Sequence, residues 1–145
     1  MSREVTTIGV PDSCHEAAAR MYHAKIRHLP VVDAGGRLVG IVTDRDLRHR
    51  LFAPGVFSRI GTMPVEALLK AVPVSEIMSA PVVAVSPTDD LERAARRMLE
   101  DKVGSLPVVE DGRVLGIITE TDLLRRIVQA DACCHEGDCI IVSYP

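Results

Sequence analysis

The spacing of apolar and polar residues predicts a strand followed by a helix near the start of the chain. Residues Thr6 to Val10 favour a short strand, because Thr, Ile and Val suit pleated backbone. Ser13, with Glu16 three residues later, has the form of a helix capping box. Apolar residues then recur at i, i+3, i+4 and i+7, which predicts a helix with one buried face: Cys14, Ala17, Ala18 and Met21.

A hairpin and a second helix follow this first helix. Pro30 disfavours helix at the residue before it and starts an extended segment. Val31-Val32 and the segment Leu38–Val42 are therefore predicted as paired strands, joined by a turn rich in Asp and Gly. Thr43 can cap a helix that runs from about Asp44 to Phe52.

The same order of elements recurs in the second half of the chain. Pro81–Val85 is the predicted strand, and Asp89 or Asp90 starts the helix. Its apolar stripe stands 77 residues after the first one: Leu91, Ala94, Ala95 and Met98. The offset becomes 76 after the second hairpin, whose Asp111-Gly112 is a strong signal for a two-residue turn. An internal repeat of this kind decides the fold.

Each copy is thus predicted to be β-α-β-β-α, and neither is long enough to bury both faces of its sheet alone. We expect an α/β (α+β) fold in which two repeats pack through their sheets as one pseudo-two-fold module with one shared core. The predicted divisions are 1–59 for repeat 1, 60–73 for a connector, 74–130 for repeat 2 and 131–145 for a cysteine-containing tail. The connector has a predicted helical turn at Val65–Leu69, and the tail a candidate strand at Ile140–Val142.

Composition narrows the class of protein. The chain of 145 residues has no Trp, two Phe and two Tyr, so the core should be aliphatic. A net charge of -3 argues against a broad nucleic-acid-binding surface. No apolar run approaches the ~18 residues of a membrane span, and the first residues lack the apolar segment of a signal peptide. We expect a cytoplasmic protein that binds neither membranes nor nucleic acid.

Both copies end in the pattern Gly-Ile-x-Thr-x-x-Asp, at a predicted junction of strand and helix. The simpler interpretation is a helix cap, in which Thr and Asp satisfy the free N–H groups of the first turn. A functional interpretation uses the same geometry, since a helix N-terminus suits a phosphate and a fixed carboxylate can accept from a ribose diol. A purine could then lie between aliphatic side chains beside the strand of Pro30 or Pro107. Gly40 and Gly116, three residues before each Thr, mark close approach of a ligand or another backbone.

The ordered set resembles the cystathionine-beta-synthase (CBS) domain family, as a tandem pair from about Val5 to Val128. The resemblance rests on Leu-Pro-Val-Val after His28 or Ser105, the hairpin, and Gly-Ile-x-Thr-x-x-Asp, found twice at matching spacing. It implies a two-repeat (Bateman) module with two clefts between the repeats that bind adenine nucleotides (AMP, ADP or ATP) or a related adenosyl ligand. It also implies pairing into a homodimer through helix faces.

The resemblance further implies a set of ligand-binding residues. Asp46 and Asp122 resemble the aspartates that bind the ribose, and Thr43 and Thr119 the residues at the phosphate end. The base would be flanked by Leu29, Pro30, Leu106 and Pro107, with Val10 and Ala84 on the opposing strands. His28, Arg45 and Ser105 complete the set.

The basic residues around the two aspartates differ. The first copy has Arg27, His28, Arg45, Arg48 and Arg50. The second has Thr121 and Leu124 in place of Arg45 and Arg48, although Lys102 and Arg125 remain. A solvated surface is the default interpretation of these arginines. If they point inward, the first cleft should be the stronger polyphosphate site.

Three functions follow as hypotheses. The first is a regulatory adenine-nucleotide-binding module without catalytic residues, metal or required cofactor, which acts through its dimer or an effector protein. The second is a thiol or zinc sensor, because the tail could ligate zinc through Cys133, Cys134, His135 and Cys139, with Cys14-His15 completing the site. Against it, Cys14 aligns with Leu91 and should be a core residue. The third is a structural interaction module with empty clefts.

Overall fold

The first repeat contains a three-stranded sheet and two helices. A computed structural model describes residues 5–51 and 64–131. The elements of repeat 1 are β1 (Ile8–Gly9), α1 (Cys14–Ala24), β2 (His28–Val32), β3 (Leu38–Thr43) and α2 (Asp44–Leu51). The strands lie in the order β1-β2-β3, with β1 parallel and β3 antiparallel to β2.

The second repeat has the same helices and hairpin but a smaller sheet. It follows α3 (Val65–Ala71) and a short 3-10 helix (Val74–Glu76), and α3 confirms the predicted helical turn in the connector. Its elements are α4 (Leu91–Asp101), β4 (Ser105–Glu110), β5 (Arg113–Thr119) and α5 (Glu120–Asp131). β4 and β5 form a two-stranded antiparallel sheet.

The predicted strand at Pro81–Val85 is wrong. Only Val85 pairs with the sheet, through a single parallel bridge to Val108. The Val85 N–H donates to the Pro107 carbonyl at 3.0 Å, and the Val109 N–H donates to the Val85 carbonyl at 2.9 Å. Pro81 has no N–H to donate, so the segment before Val85 runs beside the sheet without joining it.

Short polar side chains start the two equivalent helices. Ser13 Oγ accepts from the Glu16 N–H at 3.2 Å, and Asp90 Oδ1 accepts from the Arg93 N–H at 2.7 Å. Asp90, rather than Asp89, is therefore the N-cap of α4. α1 and α4 are each 11 residues long. The equal starts and lengths confirm the alignment of the two copies.

The two hairpins meet at their turns. Asp111 and Gly112 have φ values of 51° and 81°, as a primed two-residue turn requires. The Leu38 N–H donates to the Gly112 carbonyl at 2.9 Å, and Arg37 forms an antiparallel bridge with Arg113. The backbone of one repeat is thus bonded directly to that of the other.

Buried apolar side chains of the described residues form two clusters, each centred on one repeat, instead of the single shared core that was predicted. The first cluster combines repeat 1 with Val72 of the connector and Val74, the first residue of repeat 2. The second consists of Val85, Ala94, Met98, Leu106, Val108 and Ile118. Both clusters are aliphatic, as predicted. No helix in the described ranges is long and apolar enough to cross a membrane.

Candidate ligand-binding cleft

A cleft of about 500 Å³ lies between the two repeats. From repeat 1 it is lined by Arg27, His28, Ile41, Thr43, Asp44, Arg45, Asp46 and Arg48. From the second half of the chain it is lined by Ser79, Pro81, Val82, Val83, Lys102, Val103, Gly104, Ser105 and Glu120. The cleft therefore combines an apolar wall of Ile and Val side chains with a charged rim.

Thr43 and Asp46 cap α2 at the edge of this cleft. Asp46 Oδ2 accepts from the Thr43 N–H at 2.8 Å and from the Thr43 hydroxyl at 2.7 Å. The Thr43 hydroxyl oxygen lies 3.2 Å from the Asp46 N–H, which donates to it. The cap interpretation is thus confirmed for the first copy. No hydrogen bond from the described residues reaches Asp46 Oδ1, which leaves that oxygen for a ligand.

Thr119 and Asp122 form the same cap at the start of α5. Asp122 Oδ2 accepts from the Thr119 N–H and hydroxyl, each at 2.9 Å. The Asp122 N–H donates to Thr119 Oγ1 at 3.3 Å. The cap is therefore common to both copies, and neither of these two residues lines the cleft that contains Asp46.

The cleft gathers five of the predicted site residues, namely His28, Thr43, Arg45, Asp46 and Ser105. The predicted base-flanking residues do not line it, because their side chains are fully buried in the strands: Leu29, Pro30, Leu106 and Pro107. Val10 and Ala84 are half-buried and lie outside this cleft. The pairing of β2 with β3 and of β4 with β5 turns each Leu inward, and each Pro lies opposite an Ile.

Sequence reasoning missed part of the cleft wall. Pro81–Val83 and Val103-Gly104 line the cleft, although no motif contains them. The 77-residue offset could have found Gly104, which aligns with Arg27, also a cleft residue. A Cβ at Gly104 would lie 3.5 Å from His28 Nε2 and 3.5 Å from the Glu120 carboxylate. A larger residue at position 104 would therefore fill the boundary between the repeats.

The arginines of α2 point in different directions. Arg48 lines the cleft, but its guanidinium donates to Asp44 Oδ2 at 2.8 Å. Arg50 lies outside, in a separate cavity of about 330 Å³, where it donates to Glu76 Oε2 at 3.2 Å. Arg45 lines both spaces and forms no ion pair within the described ranges. Arg45 is thus the α2 cation that is best placed for a ligand.

His28 lies half-buried at the start of β2, where the two repeats meet. Burial lowers the pKa of its imidazole below the ordinary value, and the neighbouring Arg27 guanidinium lowers that pKa further. The carboxylates of Asp44, Glu120 and Asp46 oppose this shift. The folded protein therefore favours the neutral form of the His28 imidazole more than the unfolded chain does.

These features can be compared with known proteins. The CBS domain model matches residues 1–53 and 74–129. This chain belongs to the CBS domain family. Its fold is similar to the CBS domain pair of protein MJ0100, solved in complex with 5′-methylthioadenosine and S-adenosyl-L-methionine (TM-score 0.75, 28% identity, 90% of this chain and 93% of that one). The two repeats described above are therefore CBS repeats.

Other relatives of this CBS domain pair differ in length. A CBS domain-containing protein of Dictyostelium discoideum is 34% identical over 89% of this chain and 88% of its own length. A homoserine O-acetyltransferase of Methanohalobium evestigatum is 33% identical over 88% of this chain. The chain spans only 23% of that enzyme and 44% of MJ1225 from Methanocaldococcus jannaschii. CBS pairs thus occur both alone and within larger proteins.

The zinc hypothesis falls on residues that the structure does not describe. Cys133, Cys134, His135 and Cys139 all lie outside the described ranges, as does the candidate strand Ile140–Val142. Within residues 5–51 and 64–131, no group of His, Cys, Asp and Glu is arranged to hold a metal ion. Cys14 is fully buried in the first cluster, and burial raises the pKa of its thiol, which confirms the prediction of a core residue.

Proposed function

We propose that this CBS domain pair is a regulatory module that binds an adenosine-containing ligand in the cleft between its repeats. The observation that carries the proposal is the Asp46 carboxylate, which the Thr43 cap fixes through one oxygen while the other is left for a ligand. A fixed carboxylate can accept both hydrogen bonds of a ribose diol. The bound adenosyl ligands of MJ0100 support the same ligand class.

The opposite wall suits a purine. Ile41 from β3 and Val82, Val83 and Val103 from the second half of the chain line the cleft. Flat apolar surfaces of this kind bind a planar base by excluding water from both of its faces. The base would thus lie between the repeats, with the ribose at Asp46.

The charges of the rim favour a phosphate over a cationic sulfonium ligand. Arg27, Arg45 and Lys102 line the cleft and form no ion pair within the described ranges, whereas Arg48 is neutralised by Asp44. Apart from Asp46 and the Asp44 carboxylate that pairs with Arg48, Glu120 is the remaining acidic residue in the cleft lining. We therefore place AMP, ADP or ATP ahead of S-adenosylmethionine as the ligand of this cleft. We also expect the Asp46 cleft to bind ligands with more phosphate charge than the Asp122 cleft does.

The module is proposed to regulate rather than to catalyse. Ligand binding would favour one arrangement of the module over another, and a homodimer or an effector protein would respond to that change. The size of the change is limited by the difference in ligand affinity between the two arrangements. The proposal requires no cofactor and no metal. The ligand acts as the signal.

A matched pair of variants tests the proposal. Asp46→Asn keeps an oxygen that can accept from Thr43 but removes the charge and the second acceptor, and Asp122→Asn makes the same change in the second copy. Calorimetric titration with AMP should show binding to wild type and loss of one site, by about tenfold or more in Kd, in Asp46→Asn. Unchanged AMP affinity in both variants, or no binding of AMP, ADP, ATP or S-adenosylmethionine to wild type, would contradict the proposal.

The phosphate preference has its own test. Arg45→Thr copies the residue at the equivalent position 121, and Thr121→Arg makes the reverse change. Arg45→Thr should weaken ATP more than AMP, because ATP brings more charge to the same cation. Equal losses of ATP and AMP affinity would show that Arg45 does not face the β- and γ-phosphates, which only ATP carries in full.

A further inference from the structure

Gly40 lies in the middle of β3, opposite Val31 of β2, and is covered by the side chain of Met78. A Cβ at position 40 would overlap the Met78 sulfur and lie 3.0 Å from its Cγ and 3.3 Å from its Cβ. The sulfur can rotate away, but the Cβ is fixed to the backbone. A side chain at position 40 would therefore require Met78 to move, by rotation of its thioether and by a shift of a few tenths of an ångström at its Cβ.

The residue after Met78 is bonded to the residue after Gly40. The Ile41 N–H donates to the Ser79 carbonyl at 3.1 Å, and the Ser79 N–H donates to the Ile41 carbonyl at 2.9 Å. This antiparallel bridge adds Ser79 to the edge of β3. The chain then continues directly into Pro81–Val83, which form one wall of the cleft.

The chain on the other side of Met78 is firmly held. The Met78 N–H donates to the Val74 carbonyl at 2.9 Å, and the Val74 N–H donates to the Asp12 carbonyl at 2.8 Å. Val74 is fully buried in the first cluster. Met78 is thus fixed to the first cluster through Val74 on one side and joined to the cleft wall through Ser79 on the other.

We propose that Gly40 and Met78 are positioning residues for the ligand-binding cleft: the bare backbone of Gly40 lets Met78 sit on β3, and this contact places the wall Ser79–Val83. The inference rests on the proposed function for its ligand but not for the position of the wall. It gives the glycine of Gly-Ile-x-Thr-x-x-Asp a role separate from that of the aspartate. The aspartate holds the ribose, and the glycine sets the width of the space for the base.

The test combines Gly40→Ala with a compensating change, in an Asp122→Asn background that isolates the Asp46 cleft. Gly40→Ala should weaken AMP about tenfold, as overpacking of about 1.4 kcal/mol at the wall implies. Gly40→Ala/Met78→Ala should recover most of that loss, because the smaller side chain makes room for the added methyl group. Gly35→Ala, in the exposed turn of the first hairpin, is the control and should bind AMP as wild type does.

Amide hydrogen exchange of ligand-free protein separates the two parts of the inference. The Ser79 amide should exchange at least about fivefold faster in Gly40→Ala and return toward the wild-type rate in the double variant. Unchanged Ser79 exchange, or a double variant that binds AMP no better than Gly40→Ala, would overturn the proposal. If Gly40→Ala does not fold, the Met78→Ala variant tests the proposal by itself. Loss of the contact between Met78 and Gly40 should also weaken AMP binding and speed hydrogen exchange at the Ser79 amide. If wild type binds no AMP, the proposed function fails, and the position of the wall is still decided by exchange.

Discussion

The two Thr-x-x-Asp ends have the same internal geometry and different surroundings. The distance from the Thr N–H nitrogen to Asp Oδ2 is 2.8 Å in the first copy and 2.9 Å in the second. Around them, Arg45 of the first copy is replaced by Thr121 in the second, and Arg48 by Leu124, whose exposed fraction is 62%. The motif thus fixes where a helix starts and where an aspartate stands, and the two copies differ in the side chains beside it.

The repeats also differ in how they are supported. Repeat 1 has three strands, and its cluster includes Val72 of the connector and Val74 of repeat 2, whereas repeat 2 has two strands and a single bridge at Val85. Cys14 is fully buried, but Leu91 at the equivalent position is 44% exposed. Equivalent positions in the two repeats are therefore not equally buried.

The largest effect is expected from truncating the equivalent core leucines. Leu29→Ala and Leu106→Ala each remove a fully buried side chain, which should lower the free energy of unfolding by about 2–5 kcal/mol. Leu29→Ala should cost more, because the first cluster surrounds its site with more buried neighbours. Urea unfolding of both variants measures this. A larger loss for Leu106→Ala would show that repeat 2 is the better-packed half.

A smaller and equal effect is expected from the two caps. Thr43→Ala and Thr119→Ala each remove the hydroxyl that accepts from the Asp N–H and donates to its carboxylate, at a cost of about 1 kcal/mol. Urea unfolding without ligand measures both. Ser at either position keeps the hydroxyl and is the control. A cost confined to one copy would contradict the equivalence of the caps.

Much of this fold could be predicted, because local signals decide it. The polar N-caps, the Asp111-Gly112 turn and the apolar stripe of α1 act through neighbouring residues, so periodicity and turn chemistry were sufficient. The strand at Pro81–Val85 failed because pairing depends on the partner strand: only Val85 finds one. The strand in the first repeat predicted an equivalent strand in the second. The alignment of the two copies could not show that the residues before Val85 do not pair with the sheet.

The site was predicted less completely, because it is built between the repeats. Asp46 and Thr43 belong to a motif, so sequence found them. Val103 and Gly104 reach the cleft only through the packing of repeat 2 against repeat 1, which has no local signal. Leu29 was expected to flank a base, yet the register of β2 with β3 buries it. Both faces of β2 are covered at this point, since Leu29, Pro30 and Val31 are all fully buried, and a motif does not record such packing.

A pH effect distinguishes His28 from Ser105, its equivalent in the second copy. The pKa of His28 is lowered in the folded protein, chiefly by burial, so below the unfolded value of about 6.5 the unfolded chain binds more protons. The contribution of His28 to the free energy of unfolding should therefore be fully present above this unfolded pKa. It should be lost as the pH falls from there toward the lower pKa of the folded protein. His28→Ser should flatten this dependence between about pH 5 and 8, as measured by urea unfolding midpoints. An unchanged slope would assign the pH dependence to another group.

The smallest effect is expected where the two hairpins meet. Arg37 and Arg113 are exposed and directly opposite each other in an antiparallel bridge, so two like charges face each other across the repeats. Arg37→Glu should convert this repulsion into an ion pair and stabilise the fold by about 0.2–1 kcal/mol at low salt, with the gain shrinking as salt screens it. Arg113→Glu should gain less, because it places a carboxylate opposite Glu110 of β4, and the double variant restores like charges and should lose the gain. Urea unfolding of the four proteins forms a double-mutant cycle, and a coupling energy of zero would mean that the repeats do not hold these side chains together. Because this junction lies at the turns and not in the cleft, the coupling reports on how firmly the repeats are joined whether or not a ligand is bound.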